Sequence, residues 1–320
     1  MPMRQPIMEK LFDVLIVGGG PAGLSTALGL ARQLHTAVIF DSNKYRNDAA
    51  SRMHNVTTWD HQSPADFRAV ARRELLNRYN TIQIQNTDIK EVRQTGNGTF
   101  EAIDAAGQVW EGRKLVLAVG VRDIPPDIEG YAAAWGQGIF HCLFCHGWEE
   151  RGQESVGVLA IGDCAHMGPA MHLARMARRL SEKVTVYTDG AVELSQTLEE
   201  PLKREGFELV TTPIAKISME SGHGGVTVDL NDGSTRNEGF LVHKPISEVN
   251  GPFAQQLSLQ LTQGGDISVK PPFYETTSVP GVFAVGDCGS VGKAVAQATS
   301  TGLWCASGLV AQLQAPVAKV

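Results

Sequence analysis

Near the middle of the chain, His141-Cys142-Leu143-Phe144-Cys145-His146-Gly147-Trp148 gathers the side chains best suited to covalent chemistry. Two cysteines stand two residues apart, so their sulfurs can share one bond or separate as two thiols. Near βαβ patterns such a pair reads first as a redox dithiol. His146 follows directly, and an imidazole with an ordinary pKa near 6.5 can take the proton of an incoming thiol, whose own pKa is about 8.5. His141 is the weaker candidate for that role, with packing as its expected part. The competing chemistry is half of a zinc site. Closed zinc sites need four ligands, usually a second close pair, and Cys164, Cys288 and Cys305 are isolated in the sequence. No metal is therefore expected, and those three cysteines read as small buried residues. Trp148 has two open readings, a cover for substrate or a filler of core.

The elements that must position the pair are nucleotide-binding units. Residues 12–17 form a short apolar run, Gly18-Gly19-Gly20-Pro21-Ala22-Gly23 follows, and residues 24–34 repeat apolar side chains at helical spacing. This is strand, glycine turn and helix, with Gly18, Gly20 and Gly23 at G-x-G-x-x-G spacing. The first glycine permits the tight turn, the second lets backbone approach a pyrophosphate, and the third lets helix pack on strand. Pro21 and Ala22 are counted with them as cofactor-binding, because phosphates would sit at this helix N-terminus. Residues 36–40 read as a second strand ending at Asp41, placed for a carboxylate that holds a ribose hydroxyl. The bland alternative is a tight βα turn with no ligand.

Residues 45–60 are polar and irregular; Asn55 there could line a cofactor, or the segment is a solvated loop. A helix is predicted over 65–77 after Pro64, with Arg68, Arg72, Arg73 and Arg78 on a solvated face. Residues 81–85, 89–92 and 100–103 read as strands. Residues 114–120 read as an apolar strand central in the sheet, where Gly120 would allow close approach to a ligand.

After a linker over 122–130 and the dithiol, a second βαβ appears in 155–161, 169–180 and 183–187. Its turn holds only Gly162 and Gly168, out of the fingerprint's register. It also puts Asp163 where phosphate would approach, and Tyr187-Thr188-Asp189-Gly190 offers no arginine for a 2′-phosphate. This unit reads as a retained fold whose nucleotide site has decayed. Residues 214–217 and 226–230 read as a small sheet, with a loop over 221–225 and a solvated His223. A second linker covers 245–252. A strand over 282–285 then ends in Gly286-Asp287, before a small-residue helix over 294–311. Asp287 would accept hydrogen bonds from hydroxyls of an extended ligand, or serve as a helix N-terminal carboxylate. The first βαβ has too few strands to close a doubly wound sheet, so the C-terminal piece is expected to complete it. The expected fold class is α/β, with two nucleotide-binding (Rossmann-like) domains, the second inserted into the first. The boundaries are 1–122 with 245–320, and 123–244.

With 42% hydrophobic and 19% charged residues, the chain has the composition of a globular protein with substantial cores. A net charge of −6 gives no sign of nucleic-acid binding. Its longest apolar run, 115–121, is too short to span a bilayer, and residues 1–10 lack the apolar core of a secretory leader. A cytoplasmic address is expected, where a close cysteine pair is more often catalytic than structural.

Together, Gly18–Gly23, the Cys142–Cys145 pair ahead of a second nucleotide fold, and Gly286-Asp287 resemble the low-molecular-weight thioredoxin reductases. The stretches 31–38, 54–61, 141–145 and 272–276 are similar to the fungal dithiol oxidases of epidithiodiketopiperazine pathways, the gliotoxin type. The resemblance covers nearly the whole chain and departs at His146, where the gliotoxin enzyme and thioredoxin reductases have aspartate. It implies a thioredoxin reductase-like flavoprotein with FAD in the first domain, Asp287 near its ribityl chain, Cys145 facing the isoalloxazine and Cys142 meeting substrate. It further implies oxidation of a small-molecule dithiol to a disulfide, dioxygen as acceptor, hydrogen peroxide as by-product, and a homodimer. The alternatives are an NADPH-dependent reductase of a protein disulfide such as that of thioredoxin, and a flavin-bound sensor without turnover.

Overall fold

In the computed structural model, which describes residues 11–219 and 225–315, Phe12–Val17 lies inside a nine-stranded sheet. The expectations for residues 1–10 and for the loop holding His223 fall outside the described residues. The chain divides into two compact units. The first comprises residues up to Arg52, Val56–Arg122 and everything from Glu248 on; the second comprises Met53–Asn55 and Asp123–Ser247.

In the first unit, Phe12–Val17 pairs in parallel with Ala37–Phe40 on one side and with Val109–Leu117 on the other. Ile82–Gln85 extends the first side and Val282–Ala284 the second, both parallel. The C-terminal piece therefore completes the sheet, as the strand count demands. Parallel strands covered on both faces must be apolar throughout, and Val14, Leu15, Ile16, Leu115, Val116 and Leu117 are all fully buried. The register aligns Val17 with Phe40 and with Leu117, and Leu117 with Ala284. Four neighbouring strands thus deliver their carboxyl ends, and the segments that follow them, to one edge. This is where open parallel sheets bind ligands.

The helix Pro21–Arg32 packs against Val295–Gln314, and the small residues of both make that approach possible. A Cβ on Gly29 would collide with that of Ala306, and one on Gly302 with the Ala22 carbonyl. The abundance of Gly and Ala in the last helix is a packing requirement.

The helix Pro64–Arg78 corrects one expectation. Arg68 is buried, not solvated: its guanidinium lies 3.7 Å over the Tyr45 ring and donates to Asn47 and Asp48 at 2.9 and 2.7 Å. Arg72 pairs with the carboxylate of Asp41, which is only 1% exposed. The two arginines tie the 41–48 segment to this helix. Removing one partner of a buried pair leaves an unanswered charge, so Arg72→Met is expected to cost about 3 kcal/mol of stability. Denaturant melts of the purified protein check this; a loss within about 0.5 kcal/mol, as for an ordinary surface change, would contradict it.

In the second unit, Glu208–Val210, Ser181–Tyr187, Gln153–Leu159, Leu241–Val242 and Ile139–Phe140 form a parallel sheet in that order. The helices Met167–Ala177 and Val192–Glu205 bury Ala170, Ala174, Leu198 and Leu202 with Val156, Val158, Val184 and Val186 of the strands. A three-stranded antiparallel sheet, Ile214–Met219, Val226–Leu230 and Thr235–Glu238, accompanies it. This is a second Rossmann-like domain, as expected. No helix among the described residues is long and apolar enough to cross a membrane.

Candidate active site

Cys142 and Cys145 are joined as a disulfide, with their Cα atoms 5.2 Å apart. Cys142 precedes the single helical turn Leu143–His146, and its carbonyl accepts from the Cys145 and His146 N–H groups at 3.0 and 3.1 Å. Gly147 closes the turn by donating to the Leu143 carbonyl at 2.9 Å; a Cβ there would collide with that same oxygen. The turn therefore fixes the two sulfurs on one short loop and sets His146 immediately after them.

The His146 ring lies flat on Phe140, with centroids 5.0 Å apart and planes 12° off parallel. Its Nδ1 is buried and has no hydrogen-bond partner among the described residues. Burial pushes its pKa below the ordinary histidine value; the charge of His54 adds to that fall and Glu149 opposes it. The ring is thus held neutral at neutral pH, with an imidazole nitrogen available to accept a proton. His54 stands edge-on to it at 6.3 Å between centroids and pairs with Glu149 at 3.4 Å.

Asn55, expected near a cofactor, belongs to the second unit, where its side-chain amide donates at 2.6 Å to the carbonyl of Phe144, between the two cysteines. His141 stacks on Trp135 at 5.9 Å, which fits its expected packing role. Trp148 does not fill a core: it is 60% exposed, with the Arg151 guanidinium 3.5 Å over its ring. The remaining cysteines are all buried. Desolvation raises their thiol pKa values, that of Cys288 to about 11, which keeps them protonated and unreactive.

The glycine turn of the first unit gathers most of the other expected residues. Gly18 has φ +115, and a Cβ there would strike the Ala118 carbonyl. A Cβ on Gly19 would strike the Asp41 carboxylate, and one on Gly286 would come within 2.9 Å of the Ala22 Cβ. Gly18–Gly23, Asp41, the segment running to Gly120, and Gly286-Asp287 thus converge on the carboxyl edge of the sheet. Asp41 accepts from the Tyr45 hydroxyl at 2.6 Å, from the Asn43 N–H at 2.9 Å and from Arg72. Asp287 lies in a short 3-10 turn and pairs with Arg46 at 3.2 Å. Lys293 steadies that turn, donating to the Asp287 carbonyl at 2.9 Å and to the Asp266 carboxylate at 2.7 Å.

The corresponding turn of the second unit is built differently. After Gln153–Leu159 the chain makes a 3-10 turn, Gly162–Cys164, and the helix begins only at Met167. Asp163 lies inside that turn, 3.8 Å from the Lys244 ammonium. At the end of the next strand the Asp189 carboxylate accepts the Ile214 N–H at 2.7 Å.

Residues 12–302 match the Pyridine nucleotide-disulphide oxidoreductase family. The chain belongs to this family. Among relatives of this oxidoreductase, the thioredoxin reductase aclD of Aspergillus oryzae is 48% identical over 305 residues, covering 95% of this chain and 96% of its own. The thioredoxin reductase sirT of Leptosphaeria maculans is 47% identical over 310 residues, covering 94% of each chain. The crystal structure of an oxidoreductase from Agrobacterium tumefaciens superposes with a TM-score of 0.86 at 30% identity, over 96% of this chain and all of that one. These matches bear out the resemblance to fungal thioredoxin reductase-like flavoproteins of the gliotoxin type. The cofactor of this flavoprotein is FAD. The first glycine turn fits it: a Cβ at Gly20 would meet no described atom within 4 Å, so the space before the helix N-terminus is open. No side chain caps that N-terminus, and its first turn holds no acidic residue. Free N–H groups there favour a pyrophosphate.

The His54–Glu149 pair is the feature that sequence reasoning missed. His54 lies in a polar segment far from the cysteines, and no local spacing couples it to His146.

Proposed function

We propose that this oxidoreductase is an FAD-dependent dithiol oxidase, taking a small-molecule dithiol to an intramolecular disulfide with dioxygen as acceptor. The observation that carries the reading is the contrast between its two βα turns. One runs from its glycines straight into a helix at Pro21; the other interposes a 3-10 turn carrying Asp163 and begins its helix only at Met167. Gly18, Gly20, Pro21, Ala22, Gly23, Asp41, Gly120 and Asp287 would hold FAD. Asn55 would steady the dithiol loop.

A substrate thiol gives its proton to His146 and, as thiolate, attacks Cys142 Sγ. The Cys142–Cys145 bond breaks and Cys145 leaves as thiolate. The second substrate thiol then attacks the substrate sulfur of the mixed disulfide, closing the product ring and releasing Cys142, whose sulfur takes up that thiol's proton as it leaves. The substrate's two electrons now reside on the cysteine pair, and Cys145 is their donor onward. Bound FAD supplies a two-electron acceptor that dioxygen can reoxidise, so that one dithiol and one O2 give one disulfide and one H2O2.

Anaerobic addition of either a small dithiol or NADPH to the yellow protein, with flavin absorbance followed, tests this. Bleaching by dithiol alone is expected. Bleaching by NADPH alone would establish the reductase suggested by the relatives' names, and no bleaching by either would leave a sensor. His146→Ala is expected to slow dithiol bleaching about 10²-fold at neutral pH, the usual contribution of a general base. Burial lowers the His146 pKa, so the wild-type acid limb should lie below pH 6.5. The variant should lose that limb, and its deficit should close as the substrate thiol ionises unaided at high pH. An unchanged pH profile would refute the role.

A further inference from the structure

Once His146 has taken a proton it must give it up before it can serve again, so what surrounds it decides how readily it acts as a base. Besides His54, the ring answers to the groups around it. Phe140 covers one face and carries no charge. The Cys142–Cys145 sulfurs are uncharged while bonded. Glu149 favours the protonated ring. Glu150 stands beside Glu149, which together with burial raises its pKa. Glu149 pulls against burial, which holds the ring neutral, and would slow the loss of the proton the ring has taken. The Glu149 carboxylate is instead engaged by His54 Nε2 at 3.4 Å, and the His54 ring stands edge-on to His146 at 79°. His54 is 9% exposed in its side chain, and its neighbour Asn55 is fastened to the Phe144 carbonyl.

We propose that His54 and Glu149 are positioning residues of the dithiol site: a dyad, laid edge-on to His146 and anchored to the cysteine loop through Asn55, that draws the carboxylate's charge away from the base and returns it to its neutral form after each turnover. This deepens the dithiol-oxidase reading and rests on its assignment of His146 as base. The substrate proton moves from sulfur to His146 and from there to solvent. His54 and Glu149 bias that release through charge and do not touch substrate.

The test uses oxidised, FAD-loaded protein carrying ¹³C-labelled histidine, with the His146 resonance assigned by its absence from His146→Ala. In His54→Gln, only burial still opposes Glu149, and the His146 titration midpoint is expected to rise by about 1 pH unit. The acid limb of dithiol-driven flavin bleaching should rise with it. Adding Glu149→Gln to His54→Gln should bring both back down. If His54→Gln does not accumulate as FAD-loaded protein, His54→Asn replaces it with the same expectation. A purely structural role for His54 would leave the midpoint in place, which overturns the dyad whatever the rates. A midpoint that moves while the acid limb stays put shows that His146 is not the base, and overturns the proposal through the reading beneath it.

Discussion

Cys142→Ser is expected to abolish dithiol-driven bleaching of the bound flavin, a loss of at least about 10³-fold, as for removal of a nucleophile that works as one unit with its partner. A substrate thiolate can attack only a disulfide sulfur, and with serine at 142 no such sulfur remains in the loop. Cys145→Ser should fail equally, because the lone Cys142 thiol offers an incoming thiolate no bond to break. Rescue by another cysteine is closed off. Cys164, Cys288 and Cys305 are buried, and desolvation keeps their thiols protonated. FAD content should stay at the wild-type level, since Cys142 lies in the second unit and the glycine turn in the first. Anaerobic stopped-flow absorbance with a small dithiol measures the effect. If Cys142→Ser kept even a tenth of the wild-type bleaching rate, the pair would not be the electron entry point, and the proposed mechanism would fall.

What could be read from the sequence was whatever chemistry is local. Gly18, Gly20 and Gly23 are fixed by one turn, and each is needed within a few residues of itself; Cys142 and Cys145 share a single helical turn. The central strands were legible for a related reason, because a buried parallel strand such as Phe12–Val17 must be apolar along its length. Side chains whose meaning depends on a distant partner were not legible. Arg68 and Arg72 sit on a helix of low overall hydrophobicity and look solvated, until the 41–48 segment folds over them and Asp41 requires a cation. Long side chains with charged ends read as surface by composition, although their stems bury readily. His54 is the sharper case. It precedes Asn55, which has φ +59, in a segment with no periodicity, yet the two reach the cysteine loop through one ion pair and one hydrogen bond. Trp148 was undecidable because a side chain two residues beyond a four-residue helix can turn either way; it turned outward, under Arg151.

The glycine turn offers the other large effect, because Gly18, Gly20 and Gly23 should fail in two different ways. A Cβ on Gly23 would collide with the Gly18 carbonyl, and one on Gly18 with the Ala118 carbonyl, at a backbone φ of +115 that side chains rarely adopt. Both obstacles are backbone atoms of the sheet edge and cannot rotate aside, so Gly18→Ala and Gly23→Ala are expected to destabilise the fold by about 3 kcal/mol or more. Gly20 is different. Its φ of −75 suits any residue, and a Cβ there meets no described atom within 4 Å. Gly20→Ala should therefore leave the apoprotein's melting temperature within about 2 °C of wild type. The methyl would instead occupy the space in which a pyrophosphate approaches the helix N-terminus, costing about 1–3 kcal/mol of binding, or roughly 10- to 100-fold in the Kd for FAD. Thermal melts of the apoproteins, with FAD titrations followed by quenching of flavin fluorescence, separate the two outcomes. A Gly20→Ala variant that binds FAD as wild type does would place the pyrophosphate away from this turn, and would remove the contrast between the two nucleotide folds on which the oxidase reading stands.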